Sequence, residues 1–363
     1  MRGNILDFLF FAIEAGASIM LPGMASRSQT DITNVWASRA PFDHYFDEAW
    51  FLSAMSQACP QMTIYKPQPD QPLENALPGN YLPPSRRLDS SPENTRKAYL
   101  AHLDAWLTAK KPSYKTPEDS SSLTLVNIER TLWEIDTRSL PSSFRRSFPQ
   151  ILRINPSIRR LAALTVQSLA LANPSLPLDP RDPIPQKVFH GSHLRTEADA
   201  LAAGWNSATS PNANYTSQSD AYIAHALAHN LRLMYVASGN ASELERFASK
   251  AAAHNPPLTM TSKLSLLPQS ALGELNSLTW DQQALVDYEV LQRSSIFAGF
   301  VKSSFSFGIV MARAQRLEDD GRVVMDPMGV RHKDESVCWD DGVSRVVGRD
   351  GWHEGRIPRG MWP

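Results

Sequence analysis

The stretch that decides the fold is Phe189-His-Gly-Ser-His193-Leu-Arg195-Thr-Glu197-Ala-Asp199. Its apolar approach, from Lys187 to Leu194, predicts a strand, and the charged half leaves at the strand's carboxyl end. In open α/β folds that end is where ligands bind, because the loops after parallel strands gather there. An arginine at that position can hold a phosphate through a two-pronged, charge-assisted contact and stays ionised at any useful pH. His193 can donate a hydrogen bond to the same anion or to a ribose. The same residues also suit an ordinary strand end with solvated charges, and spacing alone does not choose.

Working outward, the elements around this stretch alternate. Asp220 to Leu231 reads as a helix, and Leu233 to Ala237 (LMYVA) as an apolar strand stopped by Ser238-Gly239. Ser242 to His254 and Trp280 to Arg293 are helical, Ala298 to Val301 strand-like, and Ser306 to Gln315 helical again. Strands alternating with helices predict an α/β fold with a parallel sheet. The second chemical signal lies here: Ala298-Gly-Phe-Val-Lys-Ser303-Ser304-Phe305-Ser306, an apolar strand ending in serines just before a helix. Hydroxyls and N–H groups at a helix N-terminus attract anions, although a serine N-cap alone has the same look.

Upstream, Asn173 to Pro185 (NPSLPLDPRDPIP) is a proline-rich linker that continues neither a helix nor a central strand. Before it, Ser157 to Ala172, Pro92 to Thr108 and Phe46 to Cys59 have helical spacing. Met62 to Tyr65 reads as a short strand, and Leu123 to Leu132 as a strand entering a helix. Ile5 to Ala15 predicts a buried helix, closed by Gly16 and followed by a strand, Ala17 to Leu21. Asp7 and Glu14 argue against a signal peptide or a membrane span there. Arg2-Gly-Asn4 opens that helix and is a third candidate ligand-binding segment.

Composition narrows the classes. The 363 residues suit two domains, and 42% hydrophobic with 20% charged residues describes a globular chain. A net charge of −1 leaves no basic excess for nucleic acid. Cys59 and Cys338 allow at most one bridge or two free thiols. His225 and His229 have a zinc-compatible spacing, but the intervening sequence is Ala-Leu-Ala, without a metalloprotease glutamate. No metal site is expected there or at His190 and His193. Asp319-Asp320 and Asp340-Asp341 read as solvated loop acids. Asn214-Tyr-Thr and Asn240-Ala-Ser are glycosylation sequons, triplets that arise often by chance.

As an ordered set, these segments resemble the GDP-fucose protein O-fucosyltransferase family, in its fungal branch. His193-Leu-Arg195-Thr-Glu197-Ala-Asp199 is similar to the family's H-L-R-x-E-x-D segment, whose His and Arg hold the GDP part of the donor. Ala298 to Ser306 resembles the block whose second serine sits by the nucleotide phosphates. Arg2-Gly-Asn4, Asp43 to Lys66, Leu233 to Gly239 and Trp280 to Asp287 are similar to further blocks, in order. The resemblance implies a GT-B-like α/β fold, two Rossmann-like domains facing each other across a cleft. Residues 1–180 would be the acceptor-side domain, 181–315 the nucleotide-sugar domain and 316–363 an irregular tail.

It further implies inverting transfer of fucose from GDP-fucose to a hydroxyl of a protein, glycan or small metabolite, with no metal and no cofactor. Arg195 is the expected catalytic residue. His193, Arg195, Asp199, Ser303, Ser304, Phe305, Arg2 and Asn4 are the expected donor-binding set, with Glu197 and Asp199 orienting the arginine or reading the base. The family's Gly-rich turn ahead of Arg2 is missing, which leaves two expectations open: an N-terminally truncated enzyme, or a catalytically impaired or non-catalytic relative that keeps the fold and binds a nucleotide or a protein partner. Relatives work in the secretory pathway, the expected compartment if a leader is missing from this chain; otherwise the cytoplasm is expected.

Overall fold

The computed structural model describes residues 2–26, 28, 31, 34, 38–67, 76–81, 92–115, 123–128, 140–205, 212–321, 337–348 and 362. From the amino end, α1 is Arg2–Glu14, β1 Ile19–Met20, β2 Met24–Ser26 and β3 Ser38–Ala40. There follow α2 (Glu48–Ala58), β4 (Ile64–Tyr65), α3 (Pro92–Lys110), α4 (Ser142–Ser147) and α5 (Pro156–Ala172). Next are β5 (His190–His193), α6 (Ala198–Ala202), α7 (Tyr215–Ala228), β6 (Leu233–Ala237), α8 (Ala241–Ala252) and β7 (Thr259–Thr261). The chain continues with α9 (Lys263–Leu266), α10 (Gln269–Ser277), α11 (Trp280–Leu291), β8 (Ile296–Phe300), α12 (Ser304–Asp319), β9 (Val337–Asp340) and β10 (Ser344–Val347). The predicted segment Leu123 to Leu132 lies partly outside the described residues.

Two compact units result. The first combines Met1–Pro22, Glu48–Arg153 and Arg359–Trp362, and the second Gly23–Asp47, Ile154–Pro358 and Pro363. In the first unit β1 pairs in parallel with β4, with Ile19 opposite Ile64. Helix α1 buries Ile5, Leu6, Leu9, Phe11 and Ala12, a spread too wide for one stripe and suited to a helix inside a core. The Tyr99 hydroxyl of α3 donates to the Phe11 carbonyl at 3.0 Å.

The second unit is built on a six-stranded sheet in the order β7-β6-β5-β8-β10-β9. All neighbouring pairs are parallel except β10 and β9. From β5 the chain steps outward to β6 and β7, then crosses back to lay β8 on the other side of β5. That reversal makes the β5–β8 boundary the topological switch point, where a crevice opens at the carboxyl ends of the strands.

Strands β6 and β8 are fully buried apolar runs, as strands covered on both faces require. The central strand β5 is different: His-Gly-Ser-His, all buried. Its polar groups find partners at hand, His190 Nδ1 with Ser192 Oγ at 3.0 Å and His190 Nε2 with His225 Nδ1 at 3.1 Å. Gly191 leaves the room that Ser294 and Leu291 occupy, for a Cβ there would lie 2.7 Å from Ser294 and 2.9 Å from Leu291. β5 is shorter than the predicted Lys187 to Leu194. Lys187 has φ +54°, and the Val188 and Phe189 N–H groups donate to Ser295 Oγ instead of to a neighbouring strand.

The units divide the chain elsewhere than at residue 180. Helix α5, upstream of the proline-rich segment, packs on α11 in the second unit. The segment itself is tied down there, Arg293 Nη1 donating to the Pro180 carbonyl at 2.7 Å. Residues 23–47 also belong to this unit, held by Tyr45 Oη on Asp281 at 3.0 Å and Gln282 Nε2 on the His44 carbonyl at 2.7 Å. The irregular tail expected after residue 315 needs correction. Helix α12 continues to Asp319, and β9 and β10 complete the sheet. Four-residue strands separated by an Asp-Gly turn carry too little periodicity to stand out within a charged stretch. A buried arginine holds them: Arg313 of α12 donates to Ser344 Oγ and to the carbonyls of Val343 and Ser295.

Candidate functional site

Both chemical signals read from the sequence fall at the switch point. His193 ends β5 and Arg195 follows it, while Ser303 to Ser306 follow the adjacent β8. The main chain of Arg195 is fixed from both sides by Gln218 of α7, whose Oε1 accepts the Arg195 N–H at 2.9 Å and whose Nε2 donates to its carbonyl at 3.2 Å.

The Arg195 side chain is buried between two carboxylates. Nη1 donates to Asp199 Oδ1 at 2.7 Å and to Glu197 Oε2 at 2.5 Å, and Nη2 donates to Asp199 Oδ2 at 2.6 Å. Asp199 thus takes the end-on edge and Glu197 the outer Nη1 hydrogen. A guanidinium has five N–H donors in a fixed plane. The two that remain, on Nε and Nη2, share one edge, and that side-on fork has the spacing of two oxygens of a phosphate. The ring centroid of Trp205 lies 5.3 Å from the guanidinium carbon.

Burial works against the Arg195 charge and would raise Asp199, but their hydrogen bonds and opposite charges overcome it. Arg195 is held above its ordinary range and Asp199 below its own. Glu197 also accepts the Gly239 N–H at 2.9 Å, which ties the loop after β6 to the arginine. Thr196 donates to Glu243 of α8, whose carboxyl is pushed up chiefly by burial.

His193 is buried, and that burial lowers it to about 4, so the imidazole is neutral at pH 7. Its Nδ1 meets Ser306 Oγ at 2.9 Å, and its ring centroid lies 4.5 Å from that of Phe305. Ser303 is the N-cap residue of α12 with φ −100° and ψ 110°, and the helix begins at Ser304, two residues earlier than predicted. Ser303 is buried and Ser304 exposed. The first turn of a 16-residue helix therefore starts directly beyond β8, with its N–H groups and dipole available to an anion.

Six of the expected residues lie at or beyond the carboxyl ends of two adjacent strands: His193, Arg195 and Asp199 after β5, the last in α6, and Ser303, Ser304 and Phe305 after β8, at the start of α12. Arg2 and Asn4 lie in the first turn of α1 in the other unit, where Arg2 Nη2 donates to the Pro149 carbonyl at 3.0 Å. Ser306 was missed as a site residue, although its place within the serine-rich run was visible. Gln218 was missed because nothing in a helical sequence marks a main-chain clamp.

Among the described residues no group of three His, Cys, Asp or Glu side chains is arranged to hold a metal. His225 and His229 are in edge-to-face contact at 4.8 Å. Asp340 and Asp341 are structural rather than solvated: Asp340 pairs with Arg345 at 2.6 Å, and Asp341 caps the turn by accepting the Ser344 N–H at 2.6 Å. Both sequon asparagines are helix N-caps, Asn214 for α7 and Asn240 for α8. Cys59 and Cys338 are buried thiols with no disulfide between them. No described helix is long and apolar enough to cross a membrane.

The family model of GDP-fucose protein O-fucosyltransferases matches residues 1–316. A crystal structure of POFUT1 in complex with GDP is similar with a TM-score of 0.47 and 14% identity, over 85% of this chain and 89% of that one. One in complex with GDP-fucose gives 0.46 and 12%, over 85% and 89%. The apo form gives 0.45 and 13%, over 88% and 91%. No curated protein matches significantly.

Proposed function

The chain belongs to the GDP-fucose protein O-fucosyltransferase family and is a glycosyltransferase; from that premise we propose that it moves fucose from GDP-fucose to a hydroxyl acceptor, with inversion and without a metal. The observation that carries this reading is that, among the described residues, the Nε–Nη2 edge of Arg195 meets no acceptor. Three of its N–H groups are spent on Asp199 and Glu197, and these lock the guanidinium plane so that the Nε–Nη2 fork is preorganised.

In the proposed reaction an acceptor oxygen bonds to the anomeric carbon on the face opposite GDP. The bond from that carbon to the β-phosphate oxygen breaks, and its electron pair stays on the phosphate. The acceptor's proton leaves to a base or to water. Charge therefore builds on GDP in the transition state, and fixed donors aimed at that charge are the most effective catalysts. Arg195 supplies a full positive charge there. The start of α12, through Ser303 and Ser304, supplies N–H and hydroxyl donors, and Phe305 backs His193, a neutral donor to the phosphate or ribose. Asp199 and Glu197 orient Arg195. With arginine providing the charge, no divalent ion is needed in this scheme. The acceptor hydroxyl is proposed to belong to a protein, a glycan or a small metabolite.

Calorimetry with GDP tests the donor site. Arg195→Lys keeps the charge but loses the fork, and we expect GDP affinity to fall at least about tenfold, or ~1.4 kcal/mol. Undiminished GDP binding by that variant would refute the assignment. A transfer assay that EDTA abolishes and added metal restores would remove the metal-free part of the reading, and a product of retained anomeric configuration would remove inversion.

A further inference from the structure

The hydroxyl of Ser306 is completely buried, and its hydrogen bonds determine which nitrogen of His193 carries the proton. Its oxygen accepts the Phe300 N–H at 3.1 Å and lies 2.9 Å from His193 Nδ1. Among the described residues no other acceptor reaches Ser306. A serine oxygen accepts two hydrogen bonds and donates one, and a buried O–H that donates to nothing is disfavoured. If Nδ1 carried the hydrogen it would donate to Ser306, and the Ser306 hydrogen would have no acceptor. If Nδ1 is bare, both groups are satisfied.

We propose that Ser306 is a positioning residue that holds neutral His193 in the tautomer with hydrogen on Nε2, so that Nε2 offers a donor to an oxygen of the bound nucleotide. The second half of this statement rests on the functional reading above. Gly299 of β8 makes the arrangement possible. A Cβ at 299 would lie 2.6 Å from Ser306 Cβ and would collide with Ser306 Oγ, so the constraint is one of space. On the ring face, Phe305 at 4.5 Å limits how far the imidazole can turn. The device gives the site an uncharged donor beside the charged one, and its direction is set before any ligand arrives.

The test is long-range 1H–15N correlation on protein labelled at histidine, at pH 7, with the His193 signals assigned by their loss in His193→Gln. We expect a bare, pyridine-like Nδ1 and a protonated Nε2 at His193. Ser306→Ala should give a mixture of tautomers and weaken GDP binding about five- to tenfold, whereas Ser306→Thr, which keeps the hydroxyl, should restore both. Gly299→Ala should release the tautomer with the hydroxyl still in the chain. A wild-type spectrum with hydrogen on Nδ1 overturns the proposal, and beyond the His193→Gln assignment it needs no variant. So does an unchanged pattern in Ser306→Ala. If the wild-type pattern is as expected but GDP does not bind, the donor-site reading fails while the hold of Ser306 on the imidazole stands.

Discussion

Two aspartates in this protein are equally buried, each 2% exposed, and they have opposite fates. Asp7 lies inside α1 of the first unit and receives one hydrogen bond, from Trp362 Nε1 at 2.7 Å. Burial raises it to about 7. Asp199 lies beyond β5 in the second unit, receives two donors from Arg195 and the Ala200 N–H at 2.8 Å, and is held below its ordinary value despite burial. The difference is the guanidinium, whose hydrogen bonds first and whose positive charge next overcome burial at Asp199. A carboxylate that must stay ionised under cover needs a guanidinium; one that only fills a core can keep its proton.

The strongest way to break this comparison is to turn Asp199 into a second Asp7. Arg195→Met leaves Asp199 and Glu197 close together under cover with no cation. Breaking a buried pair costs about 3–5 kcal/mol, and GDP binding should be lost with it. The sign of the pH response near Asp199 should also reverse. In the wild type its folded pKa lies below the unfolded 3.8, so its stabilising effect is present above that value and is lost as pH falls through the folded pKa. In Arg195→Met, stability should instead be greater at pH 5 than at pH 8. Urea unfolding at both values checks this, and a variant as stable as wild type at pH 8 would show that the arginine does not offset the burial. The double variant Arg195→Met/Asp199→Leu should recover part of the loss.

Asp7 gives the converse experiment. Its folded value near 7 exceeds the unfolded 3.8, so its contribution is fullest below about pH 4 and is lost as pH rises towards 7. The shift corresponds to no more than about 4 kcal/mol. Asp7→Asn removes the titration, and the first unit's stability should become flat between pH 4 and pH 8. A slope that persists in the variant would assign it to another group. Trp362→Phe keeps an aromatic ring beside Phe148, 5.1 Å away in the wild type, but removes the donor. Its cost should be about 2 kcal/mol at pH 8, where Asp7 is charged, and about 1 kcal/mol at pH 5. Equal costs at the two values would mean that the indole N–H does not feel the charge.

The sequence made one side of this contrast legible and hid the other. Arg195, Glu197 and Asp199 stand within five residues on one strand end, so a local pattern contains the whole ion cluster. The apolar runs of β6 and β8 identified the sheet for the same reason: burial on both faces leaves no polar positions. Asp7 was read only as an interruption of an apolar stretch, because its partner Trp362 is 355 residues away. The hold of Ser306 on His193 spans 113 residues, and that of Arg313 on β10 depends on strands too short to show a period. The division into units escaped for a related reason. Proline marks where regular structure stops, not where packing stops, and α5 finds its cover on α11 across the proline-rich segment.

The gentlest change sharpens the comparison at the proposed site itself. One guanidinium facing two carboxylates leaves the cluster with a net charge of −1, beside the place proposed for an anionic ligand. Glu197 accepts from Arg195 Nη1 on one oxygen and from the Gly239 N–H on the other; Glu197→Gln keeps only one acceptor oxygen, for one of these two donors, and removes that charge. Asp199 alone should still fix the guanidinium plane through its two-pronged contact. At an effective dielectric near that of water, removing one negative charge several ångströms from a diphosphate should favour binding by about 1 kcal/mol, a gain of about fivefold in GDP affinity by calorimetry. Transfer rate should gain less, because Glu197 also anchors the loop after β6 and a weaker anchor loosens the plane that the reaction needs. Should GDP bind more weakly to Glu197→Gln, the second carboxylate matters more for holding Arg195 in place than its charge costs the ligand, and one carboxylate would not suffice to orient a buried arginine here.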